Sequence, residues 1–244
     1  MSNPLAGILY FLQGLKLIFH SELRTYVVIP LSINVLIFTG LIWFGISQFE
    51  TFMNWLMPEI PEWLQFLEWL FWILFLFSTL LILFFTFTIL ANLIGAPFNG
   101  LLAEAVEYHL TGQRPEKAGG WKKMMAELIP TLVDEIKKLL YMMAWSIPFL
   151  ALFLVPVINI IAPFTWLAFS AWMLAVEYAD YPMGNHGLRS DEQKLRLGEK
   201  RLLSLGFGGA TTIATMIPII NFLVMPAAVA GATAMWVKQF RDMR

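Results

Sequence analysis

The sequence of 244 residues contains no cysteine, and only 14% of its residues are charged. Without cysteine the chain cannot form disulfides, use a thiol nucleophile or bind a metal through thiolates. Soluble domains carry about 25% charged residues, whereas this chain is 59% hydrophobic with a mean hydropathy of +0.70. A chain of this length leaves too much surface in water to hide that apolar content. The composition therefore predicts an integral membrane protein.

Signatures of catalysis and of nucleic-acid binding are also scarce. The net charge is −1, so no overall positive field attracts nucleic acid, and we expect no such partner. No HExxH, GxSxG or P-loop pattern occurs, so we expect neither an enzyme nor a cofactor. Glu104, Glu107 and His109 lack a recognised metal-ligand spacing, and we expect no bound metal. Glu177 and Asp180 have the chemistry of a proton relay, but the sequence names no partner for them.

Two uncharged stretches predict membrane-spanning helices at 26–49 and 69–103. A spanning helix needs about 20 predominantly apolar residues, and both stretches are long enough. The loop between them carries several glutamates and tryptophans but no lysine or arginine. Tryptophan is typical of the membrane–water interface, and a loop without basic residues is typical of the outer side.

Two further apolar stretches, 139–176 and 202–237, predict re-entrant helical hairpins. Each is shorter than two spans plus a turn, which need on the order of 45 residues, and interior prolines would break a single span. Both contain the same turn-forming pattern, Pro-x-x-Asn followed by Pro: Pro156, Asn159, Pro163, Pro218, Asn221 and Pro226. These residues either form structural kinks only or line a central path, as in transporters built from repeats.

This arrangement places both termini and the charged segments 104–138 and 177–201 on one side. All 16 lysine and arginine residues then lie on that side, as expected of the cytoplasmic face. Two apolar stripes at helical spacing predict interfacial amphipathic helices; they comprise Ile8, Leu9, Leu12, Leu15 and Phe19, and Met125, Leu128, Leu132, Ile136 and Leu139. The chain is thus predicted to be one multi-pass, all-α membrane domain, 1–244.

The first candidate anion site lies just before the first span, at Glu22, Leu23, Arg24 and Thr25. Free N–H groups at a helix N-terminus attract anions, and a guanidinium offers planar donors that match an oxyanion. The alternative is that Arg24 extends to phospholipid head groups, as an arginine at the end of a span usually does.

A second candidate anion site combines Gly187, Leu188 and Arg189 between the two hairpins. Gly187 permits an unusual backbone angle, and Ser190 with Gln193 has the spacing of a capping box that opens a helix. The alternative is a plain solvated loop, because the acidic residues that follow Arg189 compete for its guanidinium.

Three long passages resemble the CysZ-type sulfate permeases of bacterial inner membranes. They are IGAPFNGLLAE (94–104), SAWMLAVEYADYPMGNH (170–186) and MIPIINFLVMPAAVAGATAMW (216–236). The resemblance covers nearly the whole chain. It implies sulfate uptake into the cytoplasm for cysteine synthesis. It also implies two long spanning helices, hemi-penetrating hairpins and assembly into homodimers or larger oligomers.

The resemblance also points to the first candidate site. Relatives commonly have Gly, an aliphatic residue and Arg, often with a second Arg, just before the first span, and that segment is associated with sulfate binding. Here Arg24 matches, but Glu22 replaces the glycine and Thr25 replaces the second arginine. Glu22 repels a dianion, so Gly187, Leu188 and Arg189 are candidates to share or replace the role.

The leading hypothesis is passive or gradient-coupled sulfate flux, with sulfate and membrane lipid as partners. The alternative is a non-transporting scaffold or regulatory subunit that binds lipid or another protein. Sulfate uptake by liposomes that hold only the purified protein discriminates between the two.

Replacing Asn159 and Asn221 by leucine is expected to lower sulfate flux without preventing membrane insertion, because the amides would be lost from the turns that frame the path. Radiolabelled sulfate uptake into liposomes measures this. Unchanged sulfate flux at normal expression would show that the turns have a structural role only and do not line the path.

Overall fold

The computed structural model describes residues 3–56, 68–113 and 121–241, and within these ranges the regular structure is helical. The described residues form eight α-helices: α1 (Pro4–Leu17), α2 (Thr25–Leu56), α3 (Glu68–Thr111), α4 (Trp121–Leu152), α5 (Ala162–Asn185), α6 (Ser190–Glu199), α7 (Arg201–Thr215) and α8 (Pro218–Gln239). The described ranges contain no strand. The prediction of an all-helical protein is confirmed. Most of the acidic loop predicted between the spans lies outside the described residues.

The chain divides into two compact units. One unit is Val28–Phe98, which contains most of α2 and the first part of α3. The other, here called the core unit, joins Met1–Val27 to Asn99–Arg244 and contains α1, α4 to α8 and the end of α3. The candidate site residues named above all lie before Val28 or after Phe98, so they belong to the core unit.

Two described stretches are long and apolar enough to cross a membrane, Thr25–Phe44 in α2 and Ile220–Gln239 in α8. Side chains along the first are largely exposed; Leu36, for example, is 73% exposed. Most of the second is buried inside the protein. The predicted span 69–103 lies within the single helix α3, in which Trp72–Leu81 is a shorter apolar stretch with exposed side chains.

Helix α1 packs directly against α7 and α8, and its glycines make this possible. A Cβ atom on Gly7 would overlap the backbone carbonyl of Leu203, and one on Gly14 would overlap the carbonyl of Ala227. Gly7, Phe11 and Gly14 lie on one face of α1 and are all buried. The backbones thus approach as closely as in the small-residue contacts of membrane helix pairs.

The predicted amphipathic stripe of α1 lies on the other side of this helix. Leu9, Leu12 and Phe19 are exposed, Ile8 is also exposed, and Leu15 is half-buried. The packed face of α1 is therefore made by glycines, and its bulky aliphatic side chains form an exposed apolar surface. In the second predicted stripe, the side chains of residues 125, 128 and 132 lie outside those described, and Ile136 and Leu139 are exposed.

The first predicted hairpin stretch contains the end of α4, a short connection and α5. Pro156 lies in the connection, and Asn159 lies in a 3-10 turn, where its N–H donates to Val155 O at 2.9 Å. Pro163 lies in the first turn of α5, where its missing N–H costs nothing. Val157 has a φ of 71°, a left-handed conformation that β-branched residues disfavour.

The second stretch turns earlier than predicted. Helix α7 ends at Thr215 and α8 begins at Pro218, so the connection is only Met216 and Ile217. The prediction that Asn221 and Pro226 belong to the turn is wrong, because both lie inside α8. The fixed φ of a proline is already helical, so Pro218 starts the new helix at once.

The helices of the two hairpin stretches pack through small residues, and their buried threonine hydroxyls form hydrogen bonds within their own helix. A Cβ on Gly208 of α7 would overlap the carbonyl of Ala171 in α5. Buried threonines donate to carbonyls four residues earlier, from Thr211 to Phe207 O at 2.9 Å and from Thr233 to Val229 O at 2.8 Å. Such bonds allow hydroxyl groups to stay in an apolar interior without a partner on another helix.

Replacing Gly208 by alanine is expected to destabilise the core unit by about 1–3 kcal/mol, because the methyl group has no room against α5. The adjacent Gly209 is the matched control, since a Cβ there meets no atom within 4 Å. Gly209→Ala should be neutral or stabilising by up to about 1 kcal/mol, the helix-propensity gain. Unfolding in mixed detergent micelles measures both, and equal effects of the two substitutions would contradict the close contact.

Candidate functional site

The end of α3 is joined to the end of α5 by polar contacts, here called the polar seam. It comprises three residues of α3, two of α5 and the residue that follows α5: Asn99, Gly100, Glu107, Tyr181, Asn185 and His186. Asn99 Nδ2 lies 3.3 Å from Tyr181 OH, and Asn185 Nδ2 donates to Gly100 O at 3.0 Å. Burial raises the pKa of Tyr181 above its ordinary value, so its hydroxyl is protonated at neutral pH.

Glu107 is the most deeply buried charged residue of the seam, with 1% of its surface exposed. Both of its carboxylate oxygens lie 2.9 Å from His186 Nε2, and Arg241 Nη1 lies 3.9 Å away. The His186 ring also packs against Trp236 at a centroid distance of 5.2 Å. A buried carboxylate is tolerated when donors surround it, so this contact fastens the C-terminal end of α8 to α3 and α5.

A second buried group is the amine of Lys138, which lies between two acids of α5. Its Nζ is 2.8 Å from Glu177 Oε2 and 3.2 Å from Asp180 Oδ2. Asp180 also accepts from Gln193 Nε2 at 2.7 Å, and the same Nε2 donates to Leu188 O at 3.0 Å. The partners missing from the sequence interpretation of Glu177 and Asp180 are therefore Lys138 and Gln193, and the network joins α4, α5 and α6.

The first predicted anion segment forms a turn before α2. The N–H groups of Leu23 and Arg24 both donate to His20 O, at 3.0 and 2.9 Å. Leu23 is buried in the core of the unit, whereas Glu22, Arg24 and Thr25 are exposed. Leu23 thus anchors the segment, and the Arg24 guanidinium points out of the core.

The second predicted anion segment begins where α5 ends. Gly187 has a φ of 75°, the left-handed conformation that glycine tolerates at a helix C-terminus. The Leu188 N–H then donates to Met183 O at 3.1 Å. Leu188 is half-buried and Arg189 is exposed. The unusual backbone angle that the sequence suggested at Gly187 is present, and it ends α5.

The predicted capping box of Ser190 and Gln193 is wrong. Ser190 is the first residue of α6, and Glu192 Oε2 accepts from the Arg189 N–H at 3.1 Å. A charged carboxylate is the stronger acceptor at a helix N-terminus, and the Gln193 amide is already bound to Asp180. The Arg189 N–H is therefore occupied, which leaves the guanidinium as the group of Arg189 that is offered to an anion.

Both predicted anion segments contact the end of α3, but on different sides of it. Glu22 Oε2 lies 3.0 Å from His109 Nδ1, while His186, next to Gly187, contacts Glu107. Residues two apart on a helix point in nearly opposite directions. The structure thus connects each segment to α3 and does not place the two in one turn.

Sequence reasoning missed the partners of Glu107 and Lys138. Glu107 and His186 are 79 residues apart, and Lys138 and Asp180 are 42 residues apart. No local spacing indicates a pair that forms between different helices. The sequence singled out Glu107 and Asp180, but it gave no sign that either would be paired.

The chain matches the family model described as sulfate transporter CysZ/etoposide-induced protein 2.4 over residues 10–226. It is 45% identical over 235 residues to the sulfate transporter CysZ of Pseudomonas fluorescens (strain Pf0-1), covering 96% of this chain and 94% of the relative. The sulfate transporter CysZ of Pseudomonas aeruginosa (strain LESB58) is 44% identical over 235 residues, covering 96% of each chain.

Replacing Glu107 by alanine is expected to destabilise the core unit by about 1.5–3 kcal/mol, the usual loss for a hydrogen bond to a charged group. Asp191→Ala is the matched control, because Asp191 is exposed and its ion pair with Lys194 is long, at 3.7 Å. That substitution should change stability by less than about 0.5 kcal/mol. Chemical unfolding in detergent measures the free energy of unfolding of both variants. A Glu107→Ala protein as stable as Asp191→Ala would contradict a stabilising role of Glu107 in the polar seam.

Proposed function

The chain belongs to the sulfate transporter CysZ/etoposide-induced protein 2.4 family, and we propose that it carries sulfate across the bacterial inner membrane into the cytoplasm, where sulfate supplies cysteine biosynthesis. The observation that carries this proposal is the 45% identity to a sulfate transporter over 96% of the chain. The relatives named above are transporters by name, and none supports the non-transporting scaffold.

A multi-pass, partly re-entrant arrangement is supported by where apolar side chains are exposed. In the first hairpin the connection carries exposed Leu154 and Val157, and the start of α5 carries exposed Phe164. In the second, Met216 and Phe222 are exposed near the connection. Bulky apolar groups at both tips are more stable in contact with lipid hydrocarbon or with a second copy of the chain than in water. Both contacts are expected of hemi-penetrating hairpins in a homo-oligomer.

The same surface argument favours lipid contact by α1. Its close packing against α7 and α8 leaves Leu9 and Leu12 exposed on the opposite face, and Phe19 is exposed just after the helix. An amphipathic helix with such a face lies in the membrane interface. In this arrangement lipid is a partner of the protein, and α1 marks the level of one membrane surface.

Sulfate is a dianion, and the hydrocarbon interior opposes its passage unless fixed donors replace its hydration. Arg24 meets this need because it is exposed at the start of a candidate span. Arg189 is the second exposed guanidinium in a predicted anion segment. In the proposed mechanism Arg24 attracts and partly desolvates the ion, Arg189 assists, and sulfate then passes along a path framed by the hairpins, either passively or coupled to an ion gradient.

Arg24→Ala is expected to raise the half-saturating sulfate concentration about tenfold or more, because one charge-assisted hydrogen bond is worth about 1.5–3 kcal/mol. Arg189→Ala should have a smaller effect in the same direction. Radiolabelled sulfate uptake into liposomes that hold only the purified protein measures both.

The matched control is Arg201→Ala, since Arg201 is an exposed arginine at the start of α7 that lies in neither predicted segment. It removes the same charge and should leave uptake unchanged. Folded wild-type protein with no uptake above empty liposomes would overturn the proposed transport, and equal losses in all three variants would show a general charge effect instead of a site.

A further inference from the structure

Three metal-ligating side chains meet where the connection between α1 and α2 contacts the end of α3. The ligand atoms of His20, Glu22 and His109 all lie within 4.8 Å of one another. His109 Nδ1 is 3.0 Å from Glu22 Oε2, and the rings of His20 and His109 have centroids 4.5 Å apart. The two histidines are far apart in sequence, so only the fold brings them together.

We propose that this cluster binds one divalent transition metal ion of the Zn²⁺ class. Two imidazoles and one carboxylate suit Zn²⁺, Co²⁺, Ni²⁺ or Cu²⁺, whereas Mg²⁺ and Ca²⁺ prefer oxygen ligands only. Ligands bound at about 2.0–2.2 Å to a tetrahedral ion lie about 3.3–3.5 Å from one another. The present separations already approach that value, and rotamer changes of exposed side chains supply the remaining movement.

A purely structural role accounts poorly for this cluster. The side chain of Glu22 is 70% exposed, and exposed pairs of this kind contribute about 0–1 kcal/mol. His109 is half-buried on the last turn of α3, so it is the rigid member, while His20 and Glu22 come from a turn that Leu23 anchors in the core. One fixed ligand and two exposed ligands on an anchored turn match the needs of a reversibly loaded site.

The ion would also change the charge of the first anion segment. Glu22 precedes Arg24 by two residues, and its carboxylate repels sulfate. A divalent ion bound to one carboxylate and two neutral imidazoles leaves a net charge of +1, and three protein ligands leave a fourth position for water or an oxyanion. The cluster thereby converts an unfavourable Glu22 into part of a cationic site. This second step rests on the proposed sulfate transport.

The metal site is tested with the full-length protein, purified without a polyhistidine tag and in the absence of sulfate. Titration with Co²⁺ follows the visible d–d absorption of the bound ion, and Zn²⁺ is added as the competitor. We expect one ion per chain. His109→Asn and Glu22→Gln should each bind Co²⁺ at least about tenfold more weakly. Loss of a residue that only supports a ligand already lowers metal affinity about tenfold or more, and loss of a ligand itself should cost at least as much.

Glu199→Gln is the matched control for Glu22→Gln, because Glu199 is an exposed glutamate at the end of α6, outside the cluster. It should bind Co²⁺ like the wild type. Binding that is absent from the wild type, or that persists unchanged in His109→Asn and Glu22→Gln, would overturn the site.

The link to sulfate is tested by sulfate binding with and without Zn²⁺, in the wild type and in His109→Asn. We expect Zn²⁺ to strengthen binding severalfold in the wild type only. Equal sulfate binding with and without Zn²⁺ would overturn the link and leave the metal site standing. No sulfate binding under either condition would overturn both the proposed transport and the link, whereas the Co²⁺ titration judges the metal site by itself.

Discussion

The close backbone contact of α1 with α7 and α8 is the constraint on which the core unit depends. Gly7 and Gly14 of α1 meet backbone atoms of the second hairpin, and Gly231 of α8 meets the backbone of α1 in return. In lipid the hydrophobic effect does not drive helices together, so van der Waals packing through small residues must do so. Because α1 is held in this way, the turn that follows it is held as well, and that turn carries Leu23, Arg24 and two of the three proposed metal ligands, His20 and Glu22.

The polar seam adds a second constraint at the end of α3. Its buried carboxylate, Glu107, is tolerated only because His186 and Arg241 lie beside it. The three passages that carry the family resemblance meet at this place. The first supplies Asn99, the second supplies Tyr181 and His186, and the third supplies Trp236 against the His186 ring. Motifs that look unrelated in sequence are thus parts of one contact network.

The predictions that depended on local chemistry and those that depended on distant partners had different outcomes. The all-helical fold followed from composition and apolar periodicity, and the left-handed Gly187 followed from the residue type. Local reasoning was wrong about Asn221 and Pro226, because Pro218 starts α8 immediately, and about Gln193, because Asp180 of another helix binds its amide. A competing tertiary partner is invisible to any rule based on spacing.

The sequence by itself determined that the chain is helical and rich in membrane-grade apolar surface, and it named Arg24 and Arg189 as candidate donors. These conclusions depend on composition, helical spacing and residue type, which are local properties. Only the tertiary structure decided that Glu107 pairs with His186, that Lys138 lies between Glu177 and Asp180, and that Glu22 lies beside His109. Each of these contacts joins residues from separate helices or connections, so no local property of the sequence indicates it, and only the packing of the whole chain brings the partners together.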